Sequence, residues 1–181
     1  VLDELLNVVA SAVGSLSNPT RLSNTFKSVK GLKVKNETIS SYLDCFIDAY
    51  IISKSYRYDI KGRSYIDTPL KYYFTDIGLR NARLNFRQQE ENHIMENIIY
   101  NELIAREFNV DVGVVEYNHK DDSGKKVRTQ LEVDFVVNKT EKRYYIQSAL
   151  TVSDEDKRRQ EVNSLNKIDD SYAKIVVVRD N

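Results

Sequence analysis

Leu2, Leu5, Leu6, Val9 and Val13 recur at helical spacing until Gly14-Ser15 ends the pattern, which predicts an amphipathic helix over roughly 2–13. Asn18-Pro19 then offers a cap with proline at the first helical position, where its missing N–H costs nothing. Leu22, Phe26 and Val29 supply the apolar stripe of this second, short helix. After a basic link from Lys30 to Lys35, Asn36 caps a third helix whose expected buried face is Ile39, Leu43, Phe46, Ile47 and Tyr50. Ile52 to Ile60 and Leu70 to Phe74 read as two strands joined by a polar loop containing Gly62. Three helices followed by such a hairpin predict a winged helix. Residues 80–91 carry no apolar period, so a module boundary is expected there, dividing the chain into 1–87 and 88–181.

The second half opens with a helix bearing Ile94, Met95, Ile98, Ile99, Leu103 and Ile104. A strand from Val110 to Tyr117, a polar hairpin loop at Asp121-Asp122-Ser123-Gly124, and strands over Leu131–Val137 and Arg143–Leu150 follow. Ser153 with Asp154, Glu155 and Asp156 marks a helix start, where acidic groups complement the dipole, and Val162 and Leu165 give that helix its buried side. Ile175 to Val178 reads as a final, fully buried strand. The fold class expected is α+β or α/β: a winged-helix module, then an αβββαβ domain.

Composition narrows the classes. With 41% hydrophobic residues, 12 Tyr, only 2 Pro and 30% charged residues, the chain reads as ordered and globular. No stretch approaches the roughly 20 apolar residues of a membrane span and no signal sequence opens it, so a cytoplasmic protein with no membrane partner is expected. Cys45 is single and is expected to be a buried helix residue; His93 and His119 are the only histidines, so no zinc spacing exists. Net charge is zero, but residues 1–90 carry 13 basic and 9 acidic side chains and residues 91–181 carry 14 and 18. Such asymmetry fits two modules. Val1 in place of Met, and a stop just after an apolar strand, suggest a piece of a longer chain.

Strand alternation puts Glu132 and Asp134 on one face, and the short link Asn138 to Lys142 makes the next strand, with Tyr145, Gln147 and Ala149 on one face, its neighbour. Glu96 lies about 20° from Leu103 around its helix, beside the apolar stripe. Converging oxygens of this kind are what Mg²⁺ needs, and such an ion can activate water against a phosphodiester. The alternative is that Glu132 and Asp134 are simply the polar half of an amphipathic strand.

These residues carry a resemblance. Met95-Glu96-Asn97 through Glu102-Leu103, Leu131-Glu132-Val133-Asp134-Phe135-Val136, Tyr145-Ile146-Gln147, Glu161 through Leu165 and Lys174 to Val177 resemble the C-terminal domain of unknown function in prokaryotic AAA+-like P-loop ATPases, a domain similar to the PD-(D/E)XK nuclease fold. Tyr42-Leu43 and Lys71 through Leu79 are similar to the winged-helix part of the same proteins. The resemblance implies Glu96, Asp134 and Gln147 as a nuclease-like catalytic set, with Asp134, Glu132 and Gln147 holding Mg²⁺ or Mn²⁺ if the site is active. The lysine of that pattern falls at Ala149, which cannot orient water, so the set is degenerate. No G-x-x-x-x-G-K-[ST] run occurs, and the resemblance therefore implies that ATP is bound only in a domain upstream of Val1.

For nucleic acid, the third helix offers Ser40 and Ser41 but also Glu37, Asp44 and Asp48, which repel phosphate. Lys30, Lys33 and Lys35 before it, and Arg57, Lys61 and Arg63 in the expected wing, form two basic groups able to straddle a DNA backbone. Tyr56, Tyr58, Tyr72 and Tyr73 read as sheet packing or as stacking platforms. Three functional classes follow: a region that binds DNA or a protein partner and couples this to the ATPase domain, a divalent-metal-dependent DNA nuclease, and a purely structural interaction domain. The first is the reading taken.

Overall fold

The computed structural model describes residues 1–120 and 123–179, with the Lys30 side chain outside the description. Asp121 and Asp122 of the expected hairpin loop lie outside the described residues. The chain opens with helices α1 (Leu2–Ser11), α2 (Pro19–Lys30) and α3 (Asn36–Asp48). The Asn18 side chain accepts a hydrogen bond from Arg21 N and so starts α2; Gly31, at φ +66°, ends it in the left-handed conformation that glycine takes without strain. Strands β1 (Ile52–Asp59) and β2 (Ser64–Phe74) follow, then a short helix α4 (Ile77–Arg83).

The remaining elements are α5 (Glu91–Ala105), β3 (Asn109–Lys120), β4 (Lys126–Lys139), β5 (Lys142–Ala149), α6 (Glu155–Asn166) and β6 (Ala173–Val178). The six strands make one mixed sheet in the order β2-β1-β3-β4-β5-β6. β1 runs parallel to β3, β3–β4 and β4–β5 are antiparallel, and β5–β6 is parallel. None of the described helices is long and apolar enough to cross a membrane.

Two compact units result, and they do not divide at a single point in the chain. One comprises Val1–Ser55 and Asp67–Asn101; the other comprises Tyr56–Ile66 and Glu102–Asn181. This partition differs from the expected break between 87 and 88, because the tip of the β1–β2 hairpin and the body of α5 each join the unit they pack in rather than the one they neighbour in sequence. In the second unit the hairpin tip pairs with β3 through Arg57↔Val112, Tyr58↔Gly113 and Asp59↔Val114, continued by Ile60 N donating to Val114 O.

The first unit is centred on Leu5, Val9, Leu22, Phe26, Ile39, Leu43, Tyr73 and Phe74, all buried. Several sequence expectations are corrected here. Tyr50 is 83% exposed, because α3 has already ended and its φ of +56° turns the side chain outward. Val29 is exposed near the end of α2, and Cys45 lies on the outward side of α3, between the buried Leu43 and Phe46. The segment expected to be aperiodic contains α4, whose Arg80 is fully buried. Its Nε donates to Ala10 O and its Nη1 to Gln88 O, so a single guanidinium orders a segment with no apolar pattern.

Helix α5 buries Glu96, as its place beside the apolar stripe led one to expect, but its inward face is rotated from the predicted one. Glu96, Asn97 and Tyr100 are buried, whereas Ile98 and Ile104 of the predicted stripe are exposed. The Asn97 amide both accepts from Phe74 N and donates to Phe74 O, each at 2.8 Å, and so pairs the end of β2 as a neighbouring strand would. Its hydrogen-bonding capacity, rather than hydrophobicity, decides which side of α5 faces inward.

The second unit has its own core of Ile60, Val115, Val133, Val136, Tyr145, Leu165 and Ile168. β6 lies at the end of the sheet, paired only with β5, and its first three residues are exposed. The expectation of a fully buried strand is therefore corrected: an edge position leaves part of the apolar run uncovered.

Candidate functional site

Asp134 owes its position to a register shift. Asp111 of β3 faces Val136 of β4, but Gly113 faces Val133, so three steps on β4 match two on β3. This bulge lets Val133 and Val136 both enter the core and re-aims the residues between them. Gly113 is needed opposite: a Cβ there would come within 2.9 Å of both Val133 and Val136. The β4–β5 ladder begins at Phe135↔Ile146, and beyond that pair the strands part.

The Asp134 carboxylate fills the opening. Its Oδ2 accepts from Ser148 N and from Ser148 Oγ, each at 2.7 Å, replacing a missing ladder bond. Asp134 N donates to Gln147 Oε1 at 3.3 Å, and Ser164 Oγ of α6 reaches the same oxygen at 3.5 Å. Asp134 and Gln147 are thus brought together across the β4–β5 pair. Glu161 of α6 was not among the residues singled out as a site. Burial raises its pKa, the charge of Asp134 raises it further, and Lys157 opposes both. Its place one turn before the buried Leu165 was the available signal.

Among the described residues no group of three or more His, Cys, Asp or Glu side chains is placed to hold a metal. Asp134 Oδ2 already accepts two bonds, Gln147 is neutral, and Ala149, at the position of the expected lysine, is buried. Mg²⁺ and Mn²⁺ take several oxygen ligands, commonly charged ones, so these residues do not fit such an ion. Glu132 stands before the register shift, half-buried opposite Val114, whereas Asp134 stands within it.

Glu96 has different company. In the first unit its Oε1 accepts from Lys71 Nζ at 2.8 Å and from the Tyr73 hydroxyl at 2.7 Å, and all three residues are buried. Gly14, with φ +70°, passes close by; a Cβ there would lie 3.3 Å from Glu96 Oε2. Glu96 belongs to the first unit, and Asp134 and Gln147 to the second.

The proposed DNA-contacting residues are likewise divided. Lys33 and Lys35 are exposed in the link before α3, and the Ser41 hydroxyl is tied to Glu37 O. Ser40 lines a cavity of about 240 Å³ with Asp44, Asp67 and Lys54, where the two acids outnumber the one lysine and so oppose an anionic ligand. In the second unit Lys61 and Arg63 are exposed at the hairpin turn, with no ion-pair partner among the described residues, while Arg57 is half-buried on β1. Of the four tyrosines, Tyr72 and Tyr73 are core, whereas Tyr56 is exposed and Tyr58 packs at the core's margin.

The expected Tyr145–Gln147 face of β5 extends to Arg143, which sequence reasoning missed. Arg143, Tyr145 and Gln147 alternate along the strand, spanning about 13 Å at the usual strand rise. Tyr145 donates to Asp170 Oδ2 at 2.6 Å; burial, then this bond, push its hydroxyl up to about 12, so it remains a donor. Arg143 was read only as a strand boundary, since a lone arginine at a strand start carries no periodic signal.

Comparison with known proteins adds little chemistry. Residues 1–90 match the family described as a domain of unknown function, DUF8612. An uncharacterized protein of Haemophilus influenzae is 32% identical over 177 residues; the match takes in 98% of this chain but 40% of that protein's length. No solved structure matches.

Proposed function

We propose that this chain is a non-catalytic, DNA-binding region of a larger cytoplasmic ATPase, in which a winged-helix part and a PD-(D/E)XK-like part couple DNA binding to an ATPase domain outside this chain. The observation that carries the reading is Asp134: the acid that a nuclease-like frame would use is engaged with Ser148, beside a neutral Gln147 and a buried Ala149. A frame of this kind without its hydrolytic groups still supplies a surface, and Lys61 and Arg63 stand on it exposed. The length of the Haemophilus relative outside the match leaves room for an ATPase domain.

Titration of the chain against labelled duplex DNA, with salt as the variable, tests the proposal. Binding is expected at low salt and falls steeply as salt rises, because cations on the protein displace condensed counterions. Exchange of Lys61 and Arg63 together for Glu is expected to lower the salt slope by about two, roughly one for each phosphate contact removed. Absence of any binding at low salt overturns it.

A further inference from the structure

The second unit contains a cavity of about 600 Å³ away from the Asp134 site, lined by Tyr58, Lys61, Arg63, Arg143, Asp169, Asp170 and Tyr172 among others. Arg143 stands between two aromatic rings, its Cζ 5.5 Å from the centre of Tyr58 and 5.4 Å from that of Tyr172. Its Nε donates to Asn138 Oδ1 at 2.8 Å, which fixes the guanidinium plane. No carboxylate among the described residues forms an ion pair with Arg143, Lys61 or Arg63.

The walls are held in place by bonds that leave Lys61 and Arg63 exposed, while Arg143 also acts on the Asp111 carboxylate outside the cavity lining. Asp59 Oδ1 accepts from Lys61 N and Gly62 N, tightening the hairpin turn, and Arg63 adopts φ +53°. Asp170 is engaged at both oxygens: Oδ2 accepts from Tyr145 and Oδ1 from Tyr172 N. Its charge therefore works on the wall of the cavity, where it positions Tyr172.

Packing alone does not require three cations around two tyrosine rings, in excess of the two carboxylates, Asp169 and Asp170, that line the same cavity. A planar guanidinium recognises phosphate through parallel N–H bonds, flexible lysine and arginine side chains add charge, and a tyrosine face stacks on any base. The volume suits a ligand the size of a nucleotide and is far larger than a single phosphate needs. We propose that this cavity holds one unpaired nucleotide, with its phosphate on Arg143, Lys61 and Arg63 and its base against Tyr172. The inference deepens the DNA-binding reading and rests on it: the second unit then takes an unpaired strand end as well as a duplex backbone. A free nucleotide shares the same chemistry.

Fluorescence anisotropy on the full chain tests this, using a blunt duplex, the same duplex with a short single-stranded overhang, and dAMP as a mononucleotide. The overhang is expected to tighten binding about tenfold over the blunt duplex, in line with stacking of one base. Tyr172→Ala and Arg143→Lys are each expected to bring that ratio to about one; Tyr172 is 45% exposed, and Arg143→Lys keeps the charge while removing the plane. Melting curves of both variants check that they are folded. A ratio of one in the native chain, with blunt duplex still bound, overturns the cavity assignment and leaves the DNA-binding reading standing. If neither duplex binds, the DNA-binding reading falls, and dAMP decides the cavity: a melting-temperature rise lost in Tyr172→Ala supports a nucleotide there, and no rise overturns it.

Discussion

Each unit of the protein buries one carboxylate of the expected nuclease-like set, and the two are treated differently. Glu96 and Asp134 are equally buried, at 7% exposure. Glu96 is met by a lysine ammonium and a tyrosine hydroxyl, Asp134 only by the neutral N–H and O–H of Ser148, with the acid Glu161 near it. A buried carboxylate with a cation is a fixed structural element, because removing either partner strands a charge in low dielectric. A buried carboxylate without one leaves its field uncompensated, as a site awaiting an outside cation does. Among the described residues, however, the further ligands such an ion needs are absent.

The sharpest way to break the comparison is Lys71→Ala. It removes the ammonium paired with the buried Glu96 carboxylate, with an expected loss of about 3 kcal/mol in chemical denaturation. Adding Glu96→Gln to that variant is expected to recover a large part of the loss, and failure to do so means the ammonium matters for packing rather than charge. Asn97→Ala, which unpairs Phe74 N, is expected to cost about 2 kcal/mol in the same assay. Asp134→Ala removes an acceptor for Ser148 N and Oγ but also relieves Glu161, so a loss of only about 1 kcal/mol is expected. A loss as large as that of Lys71→Ala would erase the distinction between the two acids.

The smallest effect is a gain. The folded pKa of Glu161 is raised above its ordinary 4.5, so the fold favours the protonated form. That contribution is present in full below 4.5 and is lost as pH rises through the folded value. At neutral pH Glu161→Gln is therefore expected to stabilise by a few tenths of a kcal/mol, allowing for solvent screening, with the gain vanishing in acid. Melting temperatures measured from pH 4 to 8 check it; a gain independent of pH would assign it to something other than charge.

Much of the local architecture was legible in the sequence. Asn18-Pro19 announced α2, and the order of helix, three strands, helix and strand in the second half followed from periodicity and turn residues. The nearness of Asp134 to Gln147 also followed, because a short link makes β4 and β5 neighbours. Ser148, Glu161 and Arg143 were missed, since none interrupts or completes a pattern along its own element.

By itself, then, the sequence determined which segments other than α4 are helix or strand and in what order, because a period of two or 3.6 is a property of consecutive residues. Tertiary structure alone decided that α5 faces inward with Asn97, that the hairpin tip joins the second unit, and that a bulge opposite Gly113 re-aims Asp134. Those outcomes depend on which buried donors and acceptors find partners far away in the chain. No local pattern encodes that choice, because the partners meet only once strand register and packing have been set.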